Sequence, residues 1–385
     1  MHAGWSGNWS DHLPVGPRNG PTRFRRTTFL PVLLCLLVSG GLGAQAGSIE
    51  WRDALRQPAE WYAGPEAARI ADNLLVYQHP IGGWPKNLDM AAALDQEAKE
   101  RIRRQQATRD HDLGRPTIDN GATYTQLRYL ARVYAAGGGE RYREAFNKGI
   151  DYLLEAQYPN GGWPQYYPLR KGYYSHITFN DGAMIGALEL LREVATGTYP
   201  FVDRRRVRAA RAAVEKGVEL ILATQIEVDG QLTAWCAQYD PQTLEPTTAR
   251  AYELVSLSGA ESVGIVNFLM GIPEPTVAIT RAVEGAVDWF ERVQLSELRL
   301  IRQENPALPK GYDLIVGFDP EHATPLWARF YEIGTNYPMF VGRDGVVRYA
   351  LSEIEYERRV GYRWLNDWAT ELLEKDYPAW RKAWN

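Results

Sequence analysis

Along most of this chain apolar residues recur at helical spacing, and only a few short stretches alternate. The 3.6-residue period runs through 142–156, 204–225, 276–293 and 354–374, which predicts four amphipathic helices there. Two more helices are expected to carry Leu127, Leu130, Ala131 and Tyr134, and Ile185, Leu188, Leu191 and Val194. They open on nearly the same heptapeptide: Thr117-Ile118-Asp119-Asn120-Gly121-Ala122-Thr123 and Thr178-Phe179-Asn180-Asp181-Gly182-Ala183-Met184. A further helix is expected to open at Pro246-Thr247-Thr248-Ala249-Arg250 and to continue through small residues to Gly264, which puts Arg250 in its first turn. Strand signals are confined to 231–235, 314–316, 338–340 and 346–349.

The helices are punctuated by a repeat. Leu74-Leu75-Val76-Tyr77-Gln78 runs into Gly82-Gly83-Trp84-Pro85-Lys86-Asn87, and Leu153-Leu154-Glu155-Ala156-Gln157 runs into Gly161-Gly162-Trp163-Pro164-Gln165-Tyr166. A weaker copy leads from Ile221 through Gln225 and Gly230 to Trp235. In each unit a helix ends, glycine turns the chain and a tryptophan plugs the turn. Helical hairpins repeated in this way predict an all-α fold: an α/α toroid with a few short strands. Successive helix N-termini and their loops then gather at one end of the ring. The spacing of Gln, Gly and Trp echoes the Q-x-G-x-W repeats of terpenoid-cyclase-like toroids, where the motif is structural, and the acidic run of a cyclase is absent.

The first 46 residues read as a leader and signal peptide. Arg23, Arg25 and Arg26 precede an apolar stretch, 29–42, too short for a good membrane span, and Ala44-Gln45-Ala46 fits a cleavage site. One catalytic domain is expected over 47–385, secreted or periplasmic, monomeric and without stable membrane association. Of the two cysteines, Cys35 falls in the leader and Cys236 is left alone, so no internal disulfide is expected. The net charge is −4, and loss of the arginine-rich leader makes the remainder more acidic. Such a chain is a poor nucleic-acid binder, and an anionic polymer would need locally concentrated cations or a metal.

Asp119 and Asp181 are the leading carboxylates. Helix N-capping would explain either one. Both, however, sit in Asp/Asn pairs at matching places in the repeat, where one cap suffices. Carboxylate and amide oxygens in one cleft would suit a hard cation such as Ca2+. Arg250, at a helix N-terminus, would stand at the unfavourable end of the dipole by about 0.3–1 kcal/mol, which hints at a role other than stability. Arg329 lies between aromatics and could present a fixed fork to a carboxylate, while Arg343 in Gly342-Arg343-Asp344-Gly345 could be only a turn charge. Lys86 is a weaker candidate for substrate binding, and His176 could serve as acid or base. Metallohydrolase, serine-hydrolase, P-loop and Rossmann signatures are absent. Hydrolysis by the Asp119/Asp181 pair, or glycan binding without catalysis, stays open.

Taken together, GGWPKN, TIDNGAT, NGGWPQYYP, FNDGAM, LEPTTARAYE and RFYEIGTNYP through GRDG resemble the family 10 polysaccharide lyases, which are pectate lyases. The resemblance spans roughly 47–385. It implies an (α/α)3-type partial barrel and calcium-assisted anti-β-elimination on polygalacturonate, with Asp119, Asn120 and Asp181 at the acidic, metal-associated positions. It also implies Arg250 as the base, with Arg329 and Arg343 holding the uronate carboxylate. An arginine base needs a lowered pKa, which calcium, other arginines and the helix N-terminus are expected to supply.

Overall fold

The sequence of the longest helix shows how the layers arise. Between Arg204 and Thr224 the buried positions are Ala210, Ala213, Gly217, Leu220, Ile221 and Thr224, a single stripe at three- and four-residue spacing, with charged residues on the remaining face. Asp203 starts this helix by accepting a bond from Arg206 N (3.0 Å), and Thr276 does the same for the helix at Val277 through Ile279 N (3.3 Å). By contrast, the helix Ala183–Ala195 buries Ala183 through Leu188 without a break, so it must be covered on both sides.

The computed structural model describes residues 49–108 and 112–384. The leader assigned to 1–46, with Cys35, lies outside them. The α-helices are α1 (Trp51–Ala54), α2 (Pro65–Tyr77), α3 (Gln96–Gln106), α4 (Tyr124–Ala135), α5 (Glu140–Ala156), α6 (Ala183–Ala195), α7 (Arg204–Thr224), α8 (Glu261–Met270), α9 (Val277–Arg292), α10 (Tyr356–Gly361) and α11 (Tyr377–Trp384). Helices α4, α6 and α8 form an inner row, and α2, α5, α7 and α9 an outer row. Three helical hairpins, α4–α5, α6–α7 and α8–α9, thus make an open α/α toroid and not a closed barrel. Glycine lets the rows approach: a Cβ on Gly149 would meet Leu127 Cδ2 at 2.4 Å, and one on Gly217 would meet Leu188 Cδ2 at 2.5 Å. Among the described residues no helix is long and apolar enough to cross a membrane.

Each outer helix ends in the same corner. The indole N–H of Trp84, Trp163 and Trp235 donates to the carbonyl of Leu74, Leu153 and Ile221 (2.8, 2.7 and 2.7 Å), which lies four residues before the corner glutamine. Gln78, Gln157 and Gln225 each donate twice. One bond goes to the loop carbonyl of Gly82, Gly161 or Thr233, and the other crosses to the next outer helix at Ala145, Ala213 or Ala282. A fourth corner is present: Trp327 donates to Phe290 O (2.9 Å), four residues before Gln294, and Leu295 N bonds Leu326 O (2.8 Å). A long antiparallel hairpin, Leu298–Glu304 with Tyr312–Phe318, is inserted between that glutamine and its tryptophan.

Two expected helices are corrected. The chain at 246–250 is not helical, and α8 starts only at Glu261. The Asp240 carboxylate accepts from Gln242 N and Thr243 N, which turns the chain back so that Thr247 N bonds Gln238 O. Arg250 therefore stands in a loop and not in the first turn of a helix. The stretch 354–374 is broken as well, because Leu365 and Asn366 pair with Ala328 and Trp327 instead of continuing α10. Of the expected strands, only short pieces form at Gln231–Leu232, Phe340–Val341 and Val347–Arg348, whereas 314–316 belongs to the long hairpin.

Gln225→Ala removes the donors of two carbonyls at a buried corner. It is expected to lower unfolding stability by about 1–3 kcal/mol in urea melts, with catalytic turnover per folded molecule retained. Unchanged stability would mean that the corner bonds do not hold the rows together.

Candidate active site

The corners also place the functional side chains. The backbone N–H of Thr117, Thr178 and Ser258 donates to the carbonyl of Trp84, Trp163 and Trp235 (3.0, 3.1 and 2.8 Å). The next residue in each case, Ile118, Phe179 or Gly259, donates to the carbonyl two residues after the following tryptophan: Gln165, Ala237 or Arg329 (3.3, 2.9 and 2.9 Å). Each inner-helix start is thereby stitched to two corners. The residues two after Trp84, Trp163 and Trp327 are Lys86, Gln165 and Arg329; the first two line one cleft, and Arg329 lies behind its wall, bonded to Asp181. The cleft is lined by Lys86, Asp119, Asn120, Gln165, Tyr173, Asn180, Asp181, Gln238, Arg250 and Glu253.

The Asp/Asn pairs do not cap helices: neither Asp119 nor Asp181 accepts a capping bond at its helix start. They form tight turns in which Asn120 (φ 50°) and Asp181 (φ 51°) take the left-handed conformation, which Asn and Asp tolerate better than most residues. The two aspartates are offset by one position. Asp119 matches Asn180 in the repeat, and Asp181 matches Asn120, which corrects the expectation of equivalent places.

The offset gives them different partners. Asp119 is buried and paired with the Lys86 ammonium, and its other oxygen, Oδ1, has no partner. Burial pushes its carboxyl above the ordinary range, with Lys86 opposing and Asp181 adding to the shift. The same pair outweighs burial at Lys86 and raises its pKa. Asp181 accepts from Arg329 Nη2 (2.8 Å) and from the Asn180 amide (2.7 Å). Burial raises its pKa, but Arg329, Arg250 and the amide outweigh it, and the net shift is downward. Arg329 also bonds the buried Glu261, which accepts from the Ser258 hydroxyl.

Arg250 is held by Glu253 through Nε (2.7 Å) and Nη2, and Tyr362 donates to the same carboxylate (2.8 Å). The Tyr362 ring lies between two cations, 5.7 Å from the Arg250 guanidinium and 4.9 Å from that of Arg329. The expected lowering of the Arg250 pKa is not found in the protein alone: burial lowers it, but the Glu253 pair outweighs burial and raises it. Asn120 donates to Asn87 Oδ1 (2.8 Å) at the cleft edge. Arg343 is not among the lining residues. It is exposed, pairs with Glu357 (2.9 and 3.0 Å), and belongs to a turn beside Ala251. His176 lies outside the lining as well.

Glu253, Glu261 and Tyr362 escaped the sequence reading. Glu253, three residues after Arg250, was within reach of a charge-pairing argument. Glu261 and Tyr362 carry no local signal, because their partners are 68 and 109 residues away.

A model of the family described as pectic acid lyase matches residues 78–373. Among solved structures, the family 10 polysaccharide lyase from Cellvibrio cellulosa is 35% identical, with a TM-score of 0.69 over 83% of this chain and 94% of its own. A mutant of that lyase in complex with trigalacturonic acid is likewise 35% identical, with a TM-score of 0.69 over 85% of this chain and 98% of its own. No curated protein gave a significant match. With the family matched over most of its length and a solved relative at this identity, the chain belongs to the pectic acid lyases and is a polysaccharide lyase of family 10.

Proposed function

We propose that this cleft binds polygalacturonate and cleaves its α-1,4 linkage by calcium-assisted anti-β-elimination, giving 4,5-unsaturated oligogalacturonates. The carrying observation is the charge balance of the cleft: Asp119, Asp181, Glu253 and Glu261 meet only Lys86, Arg250 and Arg329. The three paired cations are taken up by these carboxylates, so a polyanion is drawn in only by further positive charge, from a bound ion or from the wall of the cleft. The trigalacturonic acid bound by the solved relative supports the same substrate.

The donors fit calcium. Asp119 Oδ1, Gln165 Oε1 and Gln238 Oε1 are buried oxygens without partners, and Asp181 and the Asn180 amide lie with them in the cleft. Among the described residues no cluster of three acidic, His or Cys side chains could hold a metal by itself. In this reading Asp119 and Asp181 hold the ion weakly until uronate carboxylates complete its shell. When bound, calcium supplies the charge that neutralises the uronate carboxylate, acidifies the neighbouring C5–H and works against the raised pKa of Arg250.

The chain's own groups divide the remaining work. Lys86, Asn120 and Arg329 orient the sugar, and Arg343 adds a cation at the rim. Arg250, once neutral, takes the C5 proton; the C–H electrons form the C4–C5 double bond, the C4–O bond breaks, and the departing oxygen is protonated by water. A two-carboxylate hydrolysis is less well supported, because Asp119 and Asp181 are each engaged by a cation. The leader at 1–46 supports placing this reaction outside the cytoplasm.

Two outcomes test the reading. Incubation with polygalacturonate should generate near-ultraviolet absorbance from the unsaturated uronate, and exhaustive chelation should abolish it. New reducing ends without absorbance would mean hydrolysis, and full turnover after chelation would exclude the metal. Glu253→Gln addresses the base: Glu253 raises the Arg250 pKa, so its neutralisation lowers that pKa and enlarges the neutral fraction at any given pH. The alkaline rise of kcat should therefore move to lower pH. A profile that keeps its position would show that Arg250 is not the titrating base.

A further inference from the structure

A cation outside the described ion pairs stands next to the cleft. Arg170 is half-buried, yet no carboxylate among the described residues pairs with it. It is held by rings: its guanidinium lies 3.9 Å from the centre of Tyr174 and 5.5 Å from that of Tyr166. Both rings lead into the cleft. Tyr166 carries the Lys86 ammonium at 5.8 Å, and Tyr174 packs at a tilt of 36°, with ring centres 4.0 Å apart, on Tyr173, which lines the cleft. The loop is tied to the cleft floor, since the N–H of Gln165 donates to Tyr174 O (3.0 Å).

We propose that Arg170 forms a second carboxylate subsite, which binds a galacturonate unit neighbouring the one whose proton is removed. This rests on the polygalacturonate reading above. A guanidinium stacked on aromatic faces keeps its N–H edge free, and that edge matches a carboxylate in bidentate fashion. Arg250 and Arg329 have their forks occupied by Glu253, Asp181 and Glu261, whereas the Arg170 fork has no such occupant. A polyuronate presents one carboxylate per sugar, so a chain threaded past Arg250 brings the next carboxylates along this wall.

The test is steady-state kinetics of Arg170→Gln, with Arg170→Lys as the second variant. On polygalacturonate the glutamine variant should raise KM about ten- to hundredfold, the weight of a charge-assisted bond, while kcat stays within about twofold. Arg170→Lys, which keeps the charge but not the planar fork, should recover part of the loss. As the methyl esterification of the polymer rises, the KM gap between the wild type and Arg170→Gln should narrow, because the ester removes the charge that the fork reads. An unchanged KM in Arg170→Gln beside an active wild type overturns the subsite and leaves the lyase reading standing. A fall in kcat alone, or a KM gap that does not narrow with esterification, overturns carboxylate recognition by Arg170. A wild type inactive on polygalacturonate overturns both readings.

Discussion

Everything in this molecule hangs on how an outer helix is allowed to stop. The last carbonyls of a helix have no partner within it, and in a two-layer ring they end against other protein instead of water. The corner answers this with two side chains from one short segment: the tryptophan indole caps the final turn, and the glutamine amide bridges its own loop to the next outer helix. Because the glutamine bond crosses between helices, satisfying one chain end also fixes the spacing of the row. A glycine is required where the corner crosses the neighbouring helix. Gly82 and Gly161 adopt φ values of 112° and 97°, and a Cβ would lie 2.3 and 2.2 Å from the carbonyl oxygens of Lys148 and Lys216.

That constraint brings the chemistry to one end of the ring. The residue two after a corner tryptophan is pinned by its own carbonyl to the start of the preceding inner helix, so its side chain has little freedom. Gln165 and Arg329 are held this way, while Lys86 is fixed through its ion pair with Asp119; the aspartates that Lys86 and Arg329 meet sit on the turns that open the inner helices. Buried ion pairs of this kind contribute little net stability, because desolvation offsets the attraction. They do set a field before any substrate arrives, and a field fixed in advance is what a reaction developing charge at one carbon requires. The site therefore depends on the corner bonds for its geometry more than on its own ion pairs.

What could be read from the chain follows the range of the interactions. The Gln-Gly-Trp corners and the helices 204–225 and 276–293 were legible because period, cap and turn are local; α7 and α9 depart by a residue or two. The fourth corner was hidden by distance alone, since the hairpin at 298–318 separates Gln294 from Trp327. The third inner-helix start was misplaced because its turn, Ser258-Gly259-Ala260-Glu261-Ser262, is two residues shorter than its counterparts and lacks the Asp/Asn pair. The stretch 246–250, which Asp240 folds back, carries the stronger local helix-start pattern. Its equivalence shows only in bonding: Ser262 Oγ accepts from Trp235 N (3.0 Å) as Thr123 Oγ1 accepts from Trp84 N (3.0 Å). Lys86, Asp119, Asn120, Asp181, Arg250 and Arg329 do converge, yet the partners that set their charge states, Glu253, Glu261 and Tyr362, come from segments with no shared pattern.

The offset between Asp119 and Asp181 shows how a repeat can build a site that is not symmetric. Both turns put their fourth residue in the left-handed conformation and direct that side chain differently from the one before it. In the first unit the carboxylate precedes that position, is almost fully buried and meets Lys86. In the second it occupies the position itself, stays a third exposed and meets Arg329. Burial then pushes one carboxyl upward, while arginine holds the other down. Exchanging Asp with Asn between adjacent positions thus changes depth, partner and proton affinity together without altering the backbone. A ring of near-identical turns can in this way present one oxygen-rich pole and one arginine-rich pole to a polymer that is itself uniformly charged.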